Sequence, residues 1–216
     1  MEVNEFAKKG TTTVGIVCTD GVVMGADSRA TMDTFIASTE AVKVFKIDET
    51  LGLTIAGDVG DALYLVKYLK LENELHKMEE GKPLTPRAAS SLISLIFQQT
   101  KYYPYVVQLI VGGFNGKEPE IYNLDMYNGA IKEPKFFSSG SGSLAALGYL
   151  EDAYRQDLRT QEAVVHTAKA LQIAMKRDSA TGDNIKIVSI TEKGFKEYTK
   201  EEIEALVAQA EKKNTK

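Results

Sequence analysis

Six short stretches of the chain gather residue types that could do chemistry. They are Gly10-Thr11-Thr12-Thr13-Val14-Gly15, Asp27-Ser28-Arg29, Lys43, Gly57-Asp58-Val59-Gly60, Ser139-Gly140-Ser141-Gly142-Ser143 and Arg177-Asp178-Ser179-Ala180-Thr181-Gly182. Hydroxyls beside a cation and an acid suit nucleophilic attack on a carbonyl, provided that a base can take the hydroxyl proton. Read alone, the threonine run is an ordinary β-strand after a glycine. The reading changes because each of the other stretches falls where a strand or helix ends, which is where sites are usually built.

The more familiar nucleophile and base pairs are missing. The chain has two histidines, His76 and His166, each on an expected helix with no second histidine at i+4. That excludes a zincin-type metal pair, and no G-x-S-x-G elbow is present for Ser-His-Asp catalysis. Both histidines are read as surface or packing residues. Cys18, the one cysteine, sits in a β-branched run and is read as a small core residue. Gly140-Ser141-Gly142-Ser143-Leu144-Ala145 matches G-x-G-x-x-A between a strand and a helix. A dinucleotide site would return to a parallel strand with an acid about 20 positions on, and here one helix runs into another instead.

The elements that must position these residues follow from pattern. Strands are expected at Thr11 to Thr19, Val22 to Ala26, Val42 to Ile47 and Leu51 to Ala56, with Asp20-Gly21 as a hairpin turn. A helix begins near Gly57 to Gly60, carries Ala62, Leu65, Val66 and Leu69 on one face, and stops near Gly81. A second starts at Thr85, with Pro86 at its first position, and ends before Pro104. The order then repeats: strands at Tyr105 to Val111, Glu120 to Leu124 and Ala130 to Phe137, the last pair joined by an Asn128-Gly129 turn. Helices follow at Leu144 to Asp157 and after Thr160. Strands return at Ile185 to Ile190 and Phe195 to Tyr198. Thr199 caps a last helix, with Glu202 at the capping-box position, before a solvated tail from Glu211 to Lys216.

Helices in pairs between runs of strands do not suit strict β-α-β alternation. They suit two mainly antiparallel sheets stacked face to face, with helices on each outer side: an α+β, four-layer α-β-β-α sandwich. Composition agrees with one sizeable domain of ordinary globular type, at 216 residues with 44% hydrophobic and 26% charged. With 26 Lys and Arg against 30 Asp and Glu, the net charge is −4, so no broad basic field exists for nucleic acid. No apolar run approaches the roughly 18 residues of a membrane span. A single cysteine fits a reducing cytoplasm. Met1 to Gly10, polar and mixed in charge, reads as an appendage without a secretory signal's apolar region.

Taken together, TTTVG, ADSRAT (Ala26 to Thr31), Lys43, IAGDVGDA (Ile55 to Ala62), GSGS and KRDSATGDN (Lys176 to Asn184) resemble the proteasome β subunits of archaeal type, in precursor form. The resemblance runs from Thr11 to about Tyr198. It implies the α-β-β-α fold of N-terminal-nucleophile hydrolases and a propeptide, Met1 to Gly10, cleaved at Gly10-Thr11 to leave 206 residues. It implies a threonine endopeptidase that needs no cofactor and no metal. Its implied partners are other β subunits in seven-membered rings, α-subunit rings, an ATPase ring and unfolded protein substrates in the cytoplasm.

By the same resemblance, Thr11 is the nucleophile and, once N-terminal, its own α-amine is the base. Such an amine titrates near ~7.7–8.0, far closer to working pH than a lysine. Lys43 would favour a developing alkoxide, Asp27 would pair with Lys43, and the Gly57 N–H would serve the oxyanion. Ser141, Asp178 and Thr181 would hydrogen-bond around the amine; serine is the commoner residue at the last position. Arg29 is close by in the family pattern, and a plain ion pair is an equal reading of it. Ala30, Ala41, Ile55, Val59 and Leu63 would line an apolar pocket before the cut bond, and Thr31, Gly57 and Val59 would pair with an extended substrate. A catalytically silent ring subunit and a small-amide hydrolase of the same fold are the alternatives. The first would lack Thr11, Lys43 or Gly57, and the second works without stacked rings.

Overall fold

A computed structural model describes residues 10–127 and 129–214. The expected Asn128-Gly129 turn falls partly, and Met1 to Lys9 wholly, outside the described residues. β1 (Thr13–Val17) and β2 (Gly21–Asp27) form the expected hairpin. A small hairpin follows, β3 (Ala30–Met32) with β4 (Phe35–Ser38), and then β5 (Val44–Asp48) and β6 (Leu51–Gly57). The helix pair α1 (Val59–Glu80) and α2 (Pro86–Gln99) leads to β7 (Val107–Phe114), β8 (Pro119–Asp125), β9 (Gly129–Glu133) and β10 (Phe136–Ser139). The helices α3 (Ser143–Ala153) and α4 (Thr160–Arg177) come next, and β11 (Ile185–Thr191), β12 (Gly194–Tyr198) and α5 (Lys200–Asn214) close the chain.

One five-stranded sheet has the order β10-β1-β2-β11-β12 and the other β5-β6-β7-β8-β9. Each pairing in them is antiparallel. Three apolar clusters show how they stack. Val22, Met24, Ala26, Ile110, Ile121 and Val188 meet between the sheets. Leu53, Leu65, Leu69, Ile93, Leu109 and Val111 lie between the second sheet and α1 and α2. Val14, Ile16, Leu150, Val164, Leu171 and Ile187 lie between the first sheet and α3 and α4. In β7, Leu109 and Val111 face the helices while Ile110 faces the other sheet, so a strand covered on both sides reads as one apolar run. This is the expected four-layer sandwich.

Helix ends follow local chemistry. The Asp58 carboxylate accepts from the Gly60 and Asp61 N–H groups, and Gly81 ends α1 at φ 69°. Thr85 caps α2 with Pro86 at its first position. Thr199 and Glu202 form the reciprocal capping box of α5.

Four expectations need correction. The single strand at Ala130 to Phe137 is two strands in different sheets, because Pro134 has no N–H for a ladder and the chain crosses over there. The helix expected to reach Asp157 stops at Ala153. The β3–β4 hairpin has strands too short and too exposed to give a periodic signal. Cys18 lies just past the end of β1 rather than within a strand, although it is buried in the first-sheet core as expected. Among the described residues no helix is long and apolar enough to cross a membrane.

Candidate active site

Thr11 precedes β1, where the hairpin register places the chain beside the end of β2 and the Ser139–Ser143 turn. It is buried, and its Oγ1 donates to the Gly10 carbonyl at 2.6 Å. The Thr11 N–H donates to Ser141 Oγ at 3.2 Å, and the Gly10 N–H donates to Thr31 Oγ1 at 3.1 Å. Gly10 is in close contact with the loop after α4: a β-carbon there would lie 1.7 Å from the Ala180 methyl. Only glycine fits at this point.

Asp27 ends β2 with its side chain at 1% exposure. Its Oδ1 accepts from the Thr12 N–H at 2.9 Å and from Lys43 Nζ at 2.8 Å. Its Oδ2 accepts from the Arg29 and Gly182 N–H groups. Lys43, immediately before β5, also donates to the Arg29 carbonyl at 2.5 Å. Burial pushes the Lys43 ammonium below the usual lysine range, and the Asp27 carboxylate opposes that shift. The result is a buried, fully hydrogen-bonded ion pair one residue away from the Thr11 backbone.

Gly57 ends β6. Asp58 N–H donates to Val106 O across to β7, while Ile55 N–H donates to Lys43 O on the opposite edge. Strand alternation therefore turns the Gly57 N–H to the Lys43 side. Its φ of +105° is open to glycine, and a β-carbon would stand 2.3 Å from Val106 O.

Ser141 lies in the turn between β10 and α3, and Asp178 caps the C-terminus of α4. Ser141 Oγ and Asp178 Oδ2 form a very short hydrogen bond. Thr181 Oγ1 donates to the same Asp178 oxygen at 2.5 Å and lies 2.7 Å from Thr12 Oγ1. The methyl of Thr181 therefore leaves its hydroxyl in the network. The acid at the unfavourable end of α4 is thus partnered by two hydroxyls and by the Ala180 N–H. The Ser139–Ser143 turn packs on Thr11–Thr13 through Thr13 Oγ1 and Ser139 Oγ, 2.7 Å apart, rather than opening towards a phosphate.

A cavity of about 240 Å³ opens beside Thr11 and Lys43. Ala30, Ala41, Ile55, Val59 and Leu63, the residues expected around a substrate pocket, line it together with Thr31 and Gly57. Among the described residues, Lys43 is its one charged wall. Phe45 lines it too and was not foreseen, although its i+2 spacing from Lys43 puts both on one strand face. Ala180 and Asp183 were not among the expected site residues, although both stand in the KRDSATGDN stretch. Arg29 pairs with Asp183, Nε to Oδ2 at 3.0 Å. Both histidines stand apart from these contacts; His166 Nδ1 lies 2.9 Å from Tyr149 Oη. Among the described residues no cluster of three or more metal-ligating side chains occurs.

A hydroxyl hydrogen-bonded to the oxygen of its own preceding carbonyl, beside a buried cation and a backbone donor, can attack that carbonyl and, once freed, others. The proteasome subunit family matches residues 7–190. The chain is 47% identical over 199 residues to a proteasome subunit beta of Ferroglobus placidus, covering 92% of this chain and 95% of that one. It is 45% identical to a proteasome subunit beta of Methanosarcina mazei, covering 94% and 96%, and 44% identical to that of Archaeoglobus fulgidus, covering 97% and 99%.

Proposed function

The chain belongs to the proteasome subunit family, and from that premise we propose that it is the precursor of a threonine endopeptidase subunit of the proteasome core particle. The observation that carries this reading is the position of Thr11 Oγ1, 2.6 Å from the Gly10 carbonyl oxygen and at the mouth of the apolar cavity. Processing begins when Oγ1 attacks the Gly10 carbonyl carbon. The C–N bond to Thr11 breaks, the acyl group passes to oxygen, and water releases residues 1–10. The freed amine then has a lone pair that the amide lacked.

In the mature subunit the Thr11 amine takes the hydroxyl proton as Oγ1 attacks a substrate carbonyl. The Gly57 N–H receives the developing oxyanion; one such donor is typically worth ~3 kcal/mol. Lys43, held charged by Asp27, favours the alkoxide. The leaving amine departs with the proton, and water, deprotonated by the Thr11 amine, hydrolyses the ester. Ser141, Asp178 and Thr181 orient the amine and that water. The apolar lining of Ala30, Ala41, Ile55, Val59 and Leu63 favours hydrophobic residues before the cut bond. Thr31, Gly57 and Val59 pair with the substrate as an added strand. The subunit works in seven-membered β rings between α rings, fed with unfolded protein by an ATPase ring in the cytoplasm.

The test is the intact mass of the assembled particle's subunits, together with cleavage of hydrophobic fluorogenic peptides. Wild type should begin at Thr11 and cleave. Thr11→Ala should keep its first ten residues and lose activity by roughly 10⁴-fold or more. A Thr11→Ala particle that still cleaves would refute the assignment.

A further inference from the structure

The role of Arg29 is visible only in three dimensions. Among the described residues, its side-chain hydrogen bonds go to one loop, between α4 and β11. Nε and Nη2 grip Asp183 Oδ2 and Oδ1 at 3.0 and 3.3 Å, and Nη1 donates to Ser179 O at 2.8 Å. The same loop carries Asp178, which holds Ser141 and Thr181, and Ala180, which packs on Gly10. The Arg29 backbone meanwhile touches the other half of the site, accepting from Lys43 Nζ and donating to Asp27 Oδ2. One residue thus joins the ion pair to the hydroxyl network.

Asp183 adds a second observation. Its φ is +68°, in the left-handed region that a residue with a side chain adopts at a cost and keeps when its surroundings hold it there. The two-pronged grip of a guanidinium supplies such a hold, and a lysine ammonium cannot reproduce it. The pair is also about one-fifth exposed on each side, where an ion pair adds little to global stability. A contact of this kind affects geometry more than folding.

We propose that Arg29 is a positioning residue, whose fork on Asp183 and Ser179 sets the 178–183 loop so that Asp178 reaches Ser141, Thr181 reaches Thr12 and Ala180 meets Gly10, all beside Thr11. This rests on the assignment of Thr11 as nucleophile. Loosening the loop misplaces the hydroxyl network but spares the apolar pocket, because among the described residues the loop's hydrogen bonds run to Thr12, Asp27, Ser28, Arg29 and Ser141 rather than to Ala41, Ile55, Val59 or Leu63. Misplacement by about 1 Å can cost up to roughly 10²-fold in rate.

The experiment uses assembled particles of Arg29→Lys, Asp183→Asn and the double variant. It measures kcat and KM per Thr11 site titrated with a covalent peptide inhibitor, the rate of propeptide loss, and the thermal midpoint. Each single variant should lose roughly tenfold or more in kcat per titrated site, with KM within about twofold of wild type. Propeptide loss should slow, the thermal midpoint should hold, and the double variant should be no worse than the poorer single one. Wild-type kcat per site in both single variants, or losses that multiply in the double, would overturn the proposal. If Arg29→Lys fails to assemble, Asp183→Asn decides alone, since it keeps the shape of the side chain. Failure of the underlying assignment reads differently: there the wild type fails to cleave, or Thr11→Ala cleaves, whatever the clamp variants do.

Discussion

Lys43 carries its charge in a place that disfavours charge. Burial lowers its pKa from the ordinary 10.5, and Asp27 only partly opposes the fall. The folded chain therefore releases this proton at a lower pH than the unfolded chain. Peptide cleavage should decline on the alkaline side below the usual lysine value, since a neutral amine no longer favours an alkoxide; a pH profile of kcat/KM reads this. Stability should move the other way in the same window, because there the unfolded state still binds the proton and the unfolding free energy rises with pH. The thermal midpoint of wild type relative to Lys43→Met should show that rise. At Gly10 the argument is steric. Gly10→Ala should leave the precursor uncut, because its methyl meets that of Ala180, and Ala180→Gly should restore little of the processing, because the Ala180 Cα and carbonyl O would also stand 2.7 Å from that methyl. Intact mass after expression measures both. Ala180 stands in a stretch that the sequence singles out, yet its contact with a residue 170 positions away is visible only in the fold.

Among the elements, the end of β6 has the tightest constraint. Gly57 turns the chain, and Asp58 immediately caps α1 through the Gly60 and Asp61 N–H groups. Asp58→Ala should cost about 1 kcal/mol of stability, read from denaturant unfolding of the assembled wild type and variant. It should also lower activity, because the cap fixes the strand end that presents the Gly57 N–H. Helix ends of this kind were legible in the chain as it stands: Pro86 after Thr85, Gly81 and the Thr199–Glu202 box all lie where their chemistry placed them. The β3–β4 hairpin was not, because Ala30–Met32 and Phe35–Ser38 are exposed and too short to repeat any period. Yet Ala30 and Thr31 of that hairpin wall the cavity.

On the scale of the whole molecule, the surface carries apolar groups that a lone subunit has no use for. Tyr64, Leu71, Leu75 and Met78 are exposed along α1, with Phe35, Tyr102 and Tyr103 elsewhere. Exposed rows of this kind mark interaction surfaces. In a proteasome subunit they suit contact with neighbouring subunits. Leu75→Glu combined with Met78→Glu should shift the native mass towards smaller species while the isolated fold keeps its circular dichroism, since neither side chain belongs to the buried core.

The chain's own order of residues determined the elements and the layers they form, because period, caps and turn residues act over a few positions and the paired helices leave few ways to cover two sheets. It also set aside the familiar histidine-based pairs, since no second histidine at i+4 and no G-x-S-x-G elbow is present. Motif resemblance added the expected site residues, from Thr11 and Lys43 to Asp178. Only the tertiary structure decided how they meet. It put Oγ1 of Thr11 against the Gly10 carbonyl, shared the Asp27 carboxylate between Lys43 and the Thr12 N–H, and brought Arg29 across to Asp183. Those contacts join the residues before β1, the end of β2 and the turn after it, the residue before β5 and the loop after α4. Sheet register and loop packing set their distances, and neither is written in any local stretch of sequence.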